Sequence, residues 1–93
     1  MKVIITKHAL QRLTARKITK EMVEEIANNP EEEYYDNIEQ SLVAIKTMPY
    51  GGKRKKISIF FHYDGLNVKI HTAHPESNKE IEKRIENGRY TRR

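Results

Sequence analysis

Ninety-three residues, 37% of them hydrophobic and none of them cysteine, form one small domain with a modest core, and they exclude disulfides and thiolate metal centres. No apolar run reaches the length of a membrane-spanning helix, and Val3-Ile4-Ile5 is too short for a signal-peptide core, so the expectation is a cytoplasmic domain over 1–93 with no membrane partner. A formal net charge of +5 favours polyanionic partners, although a Lys- and Glu-rich hydrophilic surface reads the same by charge alone.

Met1 to Ile5 reads as a short edge strand or a lead-in. Thr6 is a good N-cap for a helix over Lys7 to Arg16, with Leu10 and Leu13 on its core side. His8, Arg12, Ala15 and Arg16 fall on an adjacent stripe. Thr19 is a second N-cap, with Glu21 in the first turn, for a helix that ends at Asn28-Asn29-Pro30. Met22, Val23, Ile26 and Ala27 give it an inward side.

Glu33 to Asp36 and Leu42 to Met48 read as strands around a turn at Asn37 to Gln40. Pro49 to Gly52 reads as a flexible connection. Lys53 to Pro75 then forms a hairpin, in which Asp64-Gly65 is a strong two-residue turn signal. That turn places Tyr63 opposite Leu66, Phe61 opposite Val68, Ile59 opposite Ile70 and Ile57 opposite Thr72 on a core face. It leaves His62, Phe60, Ser58, Lys56, Asn67, Lys69, His71 and Ala73 on an open face. Glu76 to Asn87 reads as a last helix anchored by Ile81 and Ile85, with Gly88 past its end and a loose basic tail over 88–93. The expected fold is α+β: two N-terminal helices packed on a three- to four-stranded antiparallel meander, plus a C-terminal helix.

Two constellations carry chemistry. His8 and Arg12 lie one helical turn apart, a pairing suited to RNA cleavage, in which the imidazole moves a proton and the guanidinium holds the phosphate. The 2′-hydroxyl is then the nucleophile, and no metal or other cofactor is required. From spacing alone, an exposed His and Arg on an amphipathic helix is the favoured reading. The second constellation is the open face of the hairpin. There His62, His71 and Lys69 adjoin Phe60, a surface on which a base can stack, and Lys46 and Lys56 offer phosphate contacts. The solvated face of a half-buried sheet accounts for the same alternation. Lys53, Arg54, Lys55 and Lys56 form a basic run that suits a phosphate backbone or a solvated loop. His71 and His74 form H-x-x-H, but residues three apart on a regular strand face opposite ways, so no metal site is expected.

The segment Ile5-Thr6-Lys7-His8-Ala9-Leu10-Gln11-Arg12, followed by Arg16-Lys17-Ile18-Thr19, resembles a family of small bacterial and archaeal proteins with a T-x-H-A-x-x-R start. Val68 to Pro75 matches the strand near that family's end. The family is similar to the RelE/BrnT-like toxins. The resemblance implies an endoribonuclease acting on free or ribosome-bound mRNA, with a partner antitoxin, and it carries His8 and Arg12 over as the site residues. Lys46, Lys69 and His71 are positional candidates only. A non-catalytic RNA- or partner-binding module, or a homodimer that buries Phe60 and the last helix, are the alternatives.

Overall fold

Thr6 opens the first helix: its hydroxyl accepts a hydrogen bond from the Ala9 amide, and α1 runs over Lys7–Ala15. α1 stops without a glycine. Lys17 adopts a left-handed conformation (φ 58°), its N–H donates to the Thr14 carbonyl, and the Ile18 N–H donates to that of Leu13. Ile18 and Leu13 pack together in the core, the apolar contact that accompanies this cap. Thr19 caps α2, Lys20–Asn28, through the Met22 amide. The computed structural model describes residues 2–93, so Met1 of the expected lead-in lies outside the described residues.

The strands are β1 Val3–Ile5, β2 Glu32–Asp36, β3 Ser41–Tyr50, β4 Lys53–Asp64, β5 Asn67–Pro75 and β6 Tyr90–Arg92. They form one six-stranded mixed sheet in the order β1-β5-β4-β3-β2-β6, with β1 parallel to β5 and the other pairs antiparallel. The α+β class stands, but the expected arrangement of two helices on a three- or four-stranded meander does not. The meander β2 to β5 is the middle of a wider sheet. β1 adds a parallel edge whose partner lies more than sixty residues downstream. β6 forms from the segment expected to be a loose tail, because Tyr90 is buried and stacks on Tyr34 with ring centroids 5.4 Å apart.

Helices cover both faces of the sheet. α1 and α2 bury Leu13, Ile18, Val23 and Ile26 against Ile57, Ile59, Phe61, Val68, Ile70 and Ala73. α3, Asn78–Glu86, places Ile81 and Ile85 against Val43, Ile45, Phe60, Tyr34 and Tyr90 on the other face. A capping box of Ser77 and Glu80 fixes where α3 starts. The face expected to be open is therefore half core.

Both hairpins differ from expectation in ways that matter for the site. Gly51 and Gly52 both have positive φ (59° and 76°), so they make a tight primed turn between Tyr50 and Lys53 instead of a flexible connection. The second hairpin turns at Gly65-Leu66, not Asp64-Gly65, and Asp64 pairs with Asn67. Only Gly65 needs positive φ there (64°), and Leu66 projects into solvent at 92% exposure. This shift of two residues keeps every side chain near the turn on its expected face. A second change does not. The register jumps between Phe60 and Phe61: Phe61 pairs with Ile70 but Phe60 pairs with Thr72, and His71 is the extra residue of a β-bulge.

Candidate active site

The bulge decides which side chains meet. Beyond it Ile59 pairs with Ala73 and Ser58 with His74, so Ala73 enters the α1–α2 core and Thr72 and His74 turn to the face that carries Phe60 and His62. His71 joins them: its ring lies 4.3 Å from that of His62, nearly edge to face. Residues three apart on a regular strand diverge, yet here His71 and His74 line the same cleft. This cleft has a volume of about 430 Å³ and is lined by Arg12, Glu39, Ser41, Phe60, His62, His71, Thr72, His74 and Arg89.

Arg12 reaches the cleft because α1 is docked on an open strand edge. β1 covers β5 only from Val68 to Ile70. Past that point the Arg16 guanidinium donates to the Thr72 hydroxyl at 2.9 Å and to the Ala73 carbonyl at 3.0 Å. Tyr50 holds the end of the same helix by donating to the Arg16 carbonyl at 2.6 Å. Arg12, one turn earlier on the same stripe, falls at the cleft. His8 is a further turn away, about 12 Å from Arg16 along the axis; it is exposed and lines no part of the cleft.

Hydrogen-bond partners set the direction of each imidazole. His62 Nε2 lies 2.7 Å from the Gln40 carbonyl, which only accepts, so Nε2 carries a proton. In neutral His62, Nδ1 is then the acceptor, and it contacts His71 Nε2, which donates. The remaining nitrogen of neutral His71, Nδ1, is left with a free lone pair. His74 Nδ1 donates to the Pro75 carbonyl at 3.1 Å, which leaves its Nε2 for a ligand. The His74 ring is stacked on Phe60 at 5.1 Å. Burial, with the neighbouring His62 and Lys69, lowers the pKa of His71, so it is neutral at physiological pH.

The wall beside His62 is the turn between β2 and β3. Asp36 is fully buried and accepts hydrogen bonds from the amides of Ile38 and Glu39 at 3.0 and 3.1 Å. Arg89 grips the same carboxylate through Nε and Nη2. Burial pushes the Asp36 carboxyl up, but Arg89 and the two amides outweigh it and hold it below the usual range.

The other residues singled out in the sequence lie elsewhere. Phe60 is 3% exposed and belongs to the α3 core, so it is no open platform for a base. Lys46 is on the α2 face, paired with Glu25 at 3.0 Å and donating to the Asn29 carbonyl. Lys69 is exposed and pairs across the strands with His62, at the rim of the cleft. The basic run lies on β4 some eight residues from His62, about 26 Å along the strand. There Arg54, Lys55 and Lys56 line a second cleft of about 430 Å³ with Glu76, Ser77 and Glu80. Lys53 is exposed at the glycine turn. Glu39, Ser41 and Arg89 are not among the residues the sequence singles out, and His74 enters there only as half of the H-x-x-H pair. His74 needs the bulge, and the other three come from segments with no shared local pattern.

Among the described residues no group of three His, Asp or Glu side chains is placed to hold a metal ion, and no helix is long and apolar enough to cross a membrane. No curated protein and no solved structure matches the chain. A family model does match, over residues 5–75, a span that holds every residue lining the histidine cleft except Arg89 and that stops before α3 and β6. The chain belongs to the family described as Domain of unknown function (DUF4258).

Proposed function

We propose that the histidine cleft cleaves RNA by general acid–base chemistry. One observation carries this reading: the hydrogen-bond directions leave His71 Nδ1 and His74 Nε2 unengaged in a cleft that also receives Arg12. His71, neutral because its pKa is lowered, takes the proton of a ribose 2′-hydroxyl at Nδ1. The 2′-oxygen bonds to phosphorus, and the bond from phosphorus to the 5′-oxygen breaks. Protonated His74 gives its Nε2 proton to that leaving oxygen. The products are a 2′,3′-cyclic phosphate and a 5′-hydroxyl. Arg12 donates to the non-bridging oxygens as their charge grows. His62 is a positioning residue, holding the His71 ring through Nδ1.

The test is to incubate the folded protein with single-stranded RNA in the absence of ribosomes and analyse the ends. Fragments with cyclic phosphate ends are expected, and His71→Ala and His74→Ala should each slow cleavage by roughly 10²- to 10⁴-fold. Loss of cleavage in His8→Ala, with His71→Ala still active, would move the chemistry back to the outer stripe of α1. The RelE/BrnT resemblance adds a toxin role and a partner antitoxin to the proposal. Growth arrest on expression, relieved by Arg12→Ala, tests that part. A second reading, RNA binding without cleavage, draws on the exposed Lys53, Arg54 and Lys55; it predicts salt-sensitive binding that survives His71→Ala.

A further inference from the structure

We infer that the wall of the cleft built by the β2–β3 turn reads a base, that the base is guanine, and that Glu39 sets the preference. This assignment rests on the reading of the cleft as an RNA site. A carboxylate is out of place where a phosphate must bind, since it repels the ligand's charge. The Glu39 carboxylate nevertheless lines the cleft and has no ion-pair partner among the described residues. Its backbone is held, because its amide donates to Asp36 and Asp36 is gripped by Arg89, while its side chain is exposed at the cleft. Such a group favours a ligand that brings N–H donors and no negative charge.

Ser41 supplies a second, independent sign. It is 3% exposed, it lines the same wall, and its hydroxyl has no hydrogen-bond partner. A buried hydroxyl without a partner is costly unless a ligand satisfies it. The wall therefore presents a two-oxygen acceptor in Glu39 next to a donor, the Nη1 of Arg89, which Asp36 does not engage, with the unpartnered Ser41 hydroxyl buried behind them.

Guanine alone among the four RNA bases carries two adjacent donors on its Watson–Crick edge, N1–H and the N2 amine, with the O6 acceptor beside them. Adenine and cytosine set one amine beside a bare ring nitrogen, whose lone pair would face the carboxylate. Uracil has a single N–H between two carbonyls. The span also fits. β5, which carries the Arg16 anchor of α1, and β3, which starts at Ser41, are two strand spacings apart, about 10 Å. A nucleotide with its phosphate at Arg12 turns its base toward the β3 side.

The experiment titrates guanosine 3′-monophosphate and adenosine 3′-monophosphate separately into the folded protein. The Glu39 and Ser41 amide resonances and the His62 and His71 ring resonances report binding by NMR. The guanosine form should bind about tenfold tighter or more, the range of one good bidentate base contact. Glu39→Gln keeps the backbone that binds Asp36 and should bring the two affinities to within about threefold of each other. Ser41→Ala should weaken the guanosine form by a smaller factor. Equal affinities in the wild type, or no saturable binding of either nucleotide, would overturn the inference. Guanosine-selective binding without RNA cleavage would keep the base subsite and remove the acid–base chemistry. Cleavage without base preference would do the reverse.

Discussion

Two clefts of the same volume lie on the α3 face of the sheet, and they differ in how their polar groups are engaged. In the cleft at the glycine turn most charged groups are turned back on the protein, while Arg54 and Lys55 stay exposed. Lys56 is bound to Glu32 at 2.5 Å, and Glu32 also accepts from the Tyr34 hydroxyl. Glu76 is held by Arg84 and Tyr90, Glu80 closes the capping box with Ser77, and Lys55 lies over the Tyr50 ring. The histidine cleft is the reverse. Its imidazoles bond to one another and to carbonyls, and that arrangement leaves two ring nitrogens, a carboxylate and a hydroxyl without partners. A dense run of cations marks the first cleft in the sequence, but unengaged hydrogen-bonding capacity makes the second the one on which the proposed chemistry rests.

The contrast is broken most directly by cleavage assays on paired variants. His71→Ala should lose roughly 10²-fold or more of any RNA cleavage, while Lys56→Ala should change it by less than about threefold. Equal losses would mean that the clefts do not divide the work as described. Next comes stability. Asp36→Ala leaves Arg89 facing a vacated, buried position and frees two turn amides, and it should cost about 3 kcal/mol, enough to lower Tm by more than about 10 °C in calorimetry. Glu32→Gln in the other cleft, where both partners are partly solvated, should cost about 1 kcal/mol. A larger loss for Glu32→Gln would mean that the engaged cleft, not the reactive one, is the rigid part.

pH dependence sharpens the comparison further. The pKa of His71 is lowered in the fold, so as a base it stays competent below the ordinary histidine value, and the acidic limb of kcat/KM should lie below pH 6.5. Lys69→Gln removes a cation that disfavours imidazolium, so the limb should move back toward neutral pH. The stability term has a matching sign. The neutral ring is favoured in the native state, so its contribution is present above the unfolded pKa and is lost as pH falls through the lowered folded value. The smallest effect belongs to Arg54→Ala: under about 0.5 kcal/mol in stability, and a shallower salt dependence if RNA is bound along β4.

What could be read from the sequence follows the range of each signal. Thr6 and Thr19 mark their helices because a cap acts over three residues. The alternation along β4 separated Ile57, Ile59 and Phe61 from Phe60 and His62, because pleat is local. Two further features are equally local. Gly51-Gly52 has the chemistry of a primed turn, and Ser77 with Glu80 has that of a capping box, which starts the last helix at Asn78 rather than Glu76. Other features had no local trace. Three residues of β1 find a parallel partner far along the chain, and Lys46 is claimed by Glu25 of a helix the alternation cannot see. Arg12 and His8 look equivalent on a helical stripe. Only the docking of Arg16 on the edge of β5 separates them.

The bulge at His71 also determines where this chain tolerates changes of length. Each residue added to or removed from a strand inverts the facing of everything after it, unless a bulge or a loop absorbs the change. Deleting His71 would join Ile70 to Thr72 in a regular ladder, with Thr72 still opposite Phe60 and Ala73 still opposite Ile59, so the core face would be kept and the cleft would lose the His71 ring. An extra residue at Gly65-Leu66 meets only solvent and should be borne. The hairpin therefore has one end where length is free and, six residues away at His71, an extra residue that the core does not need and the cleft does.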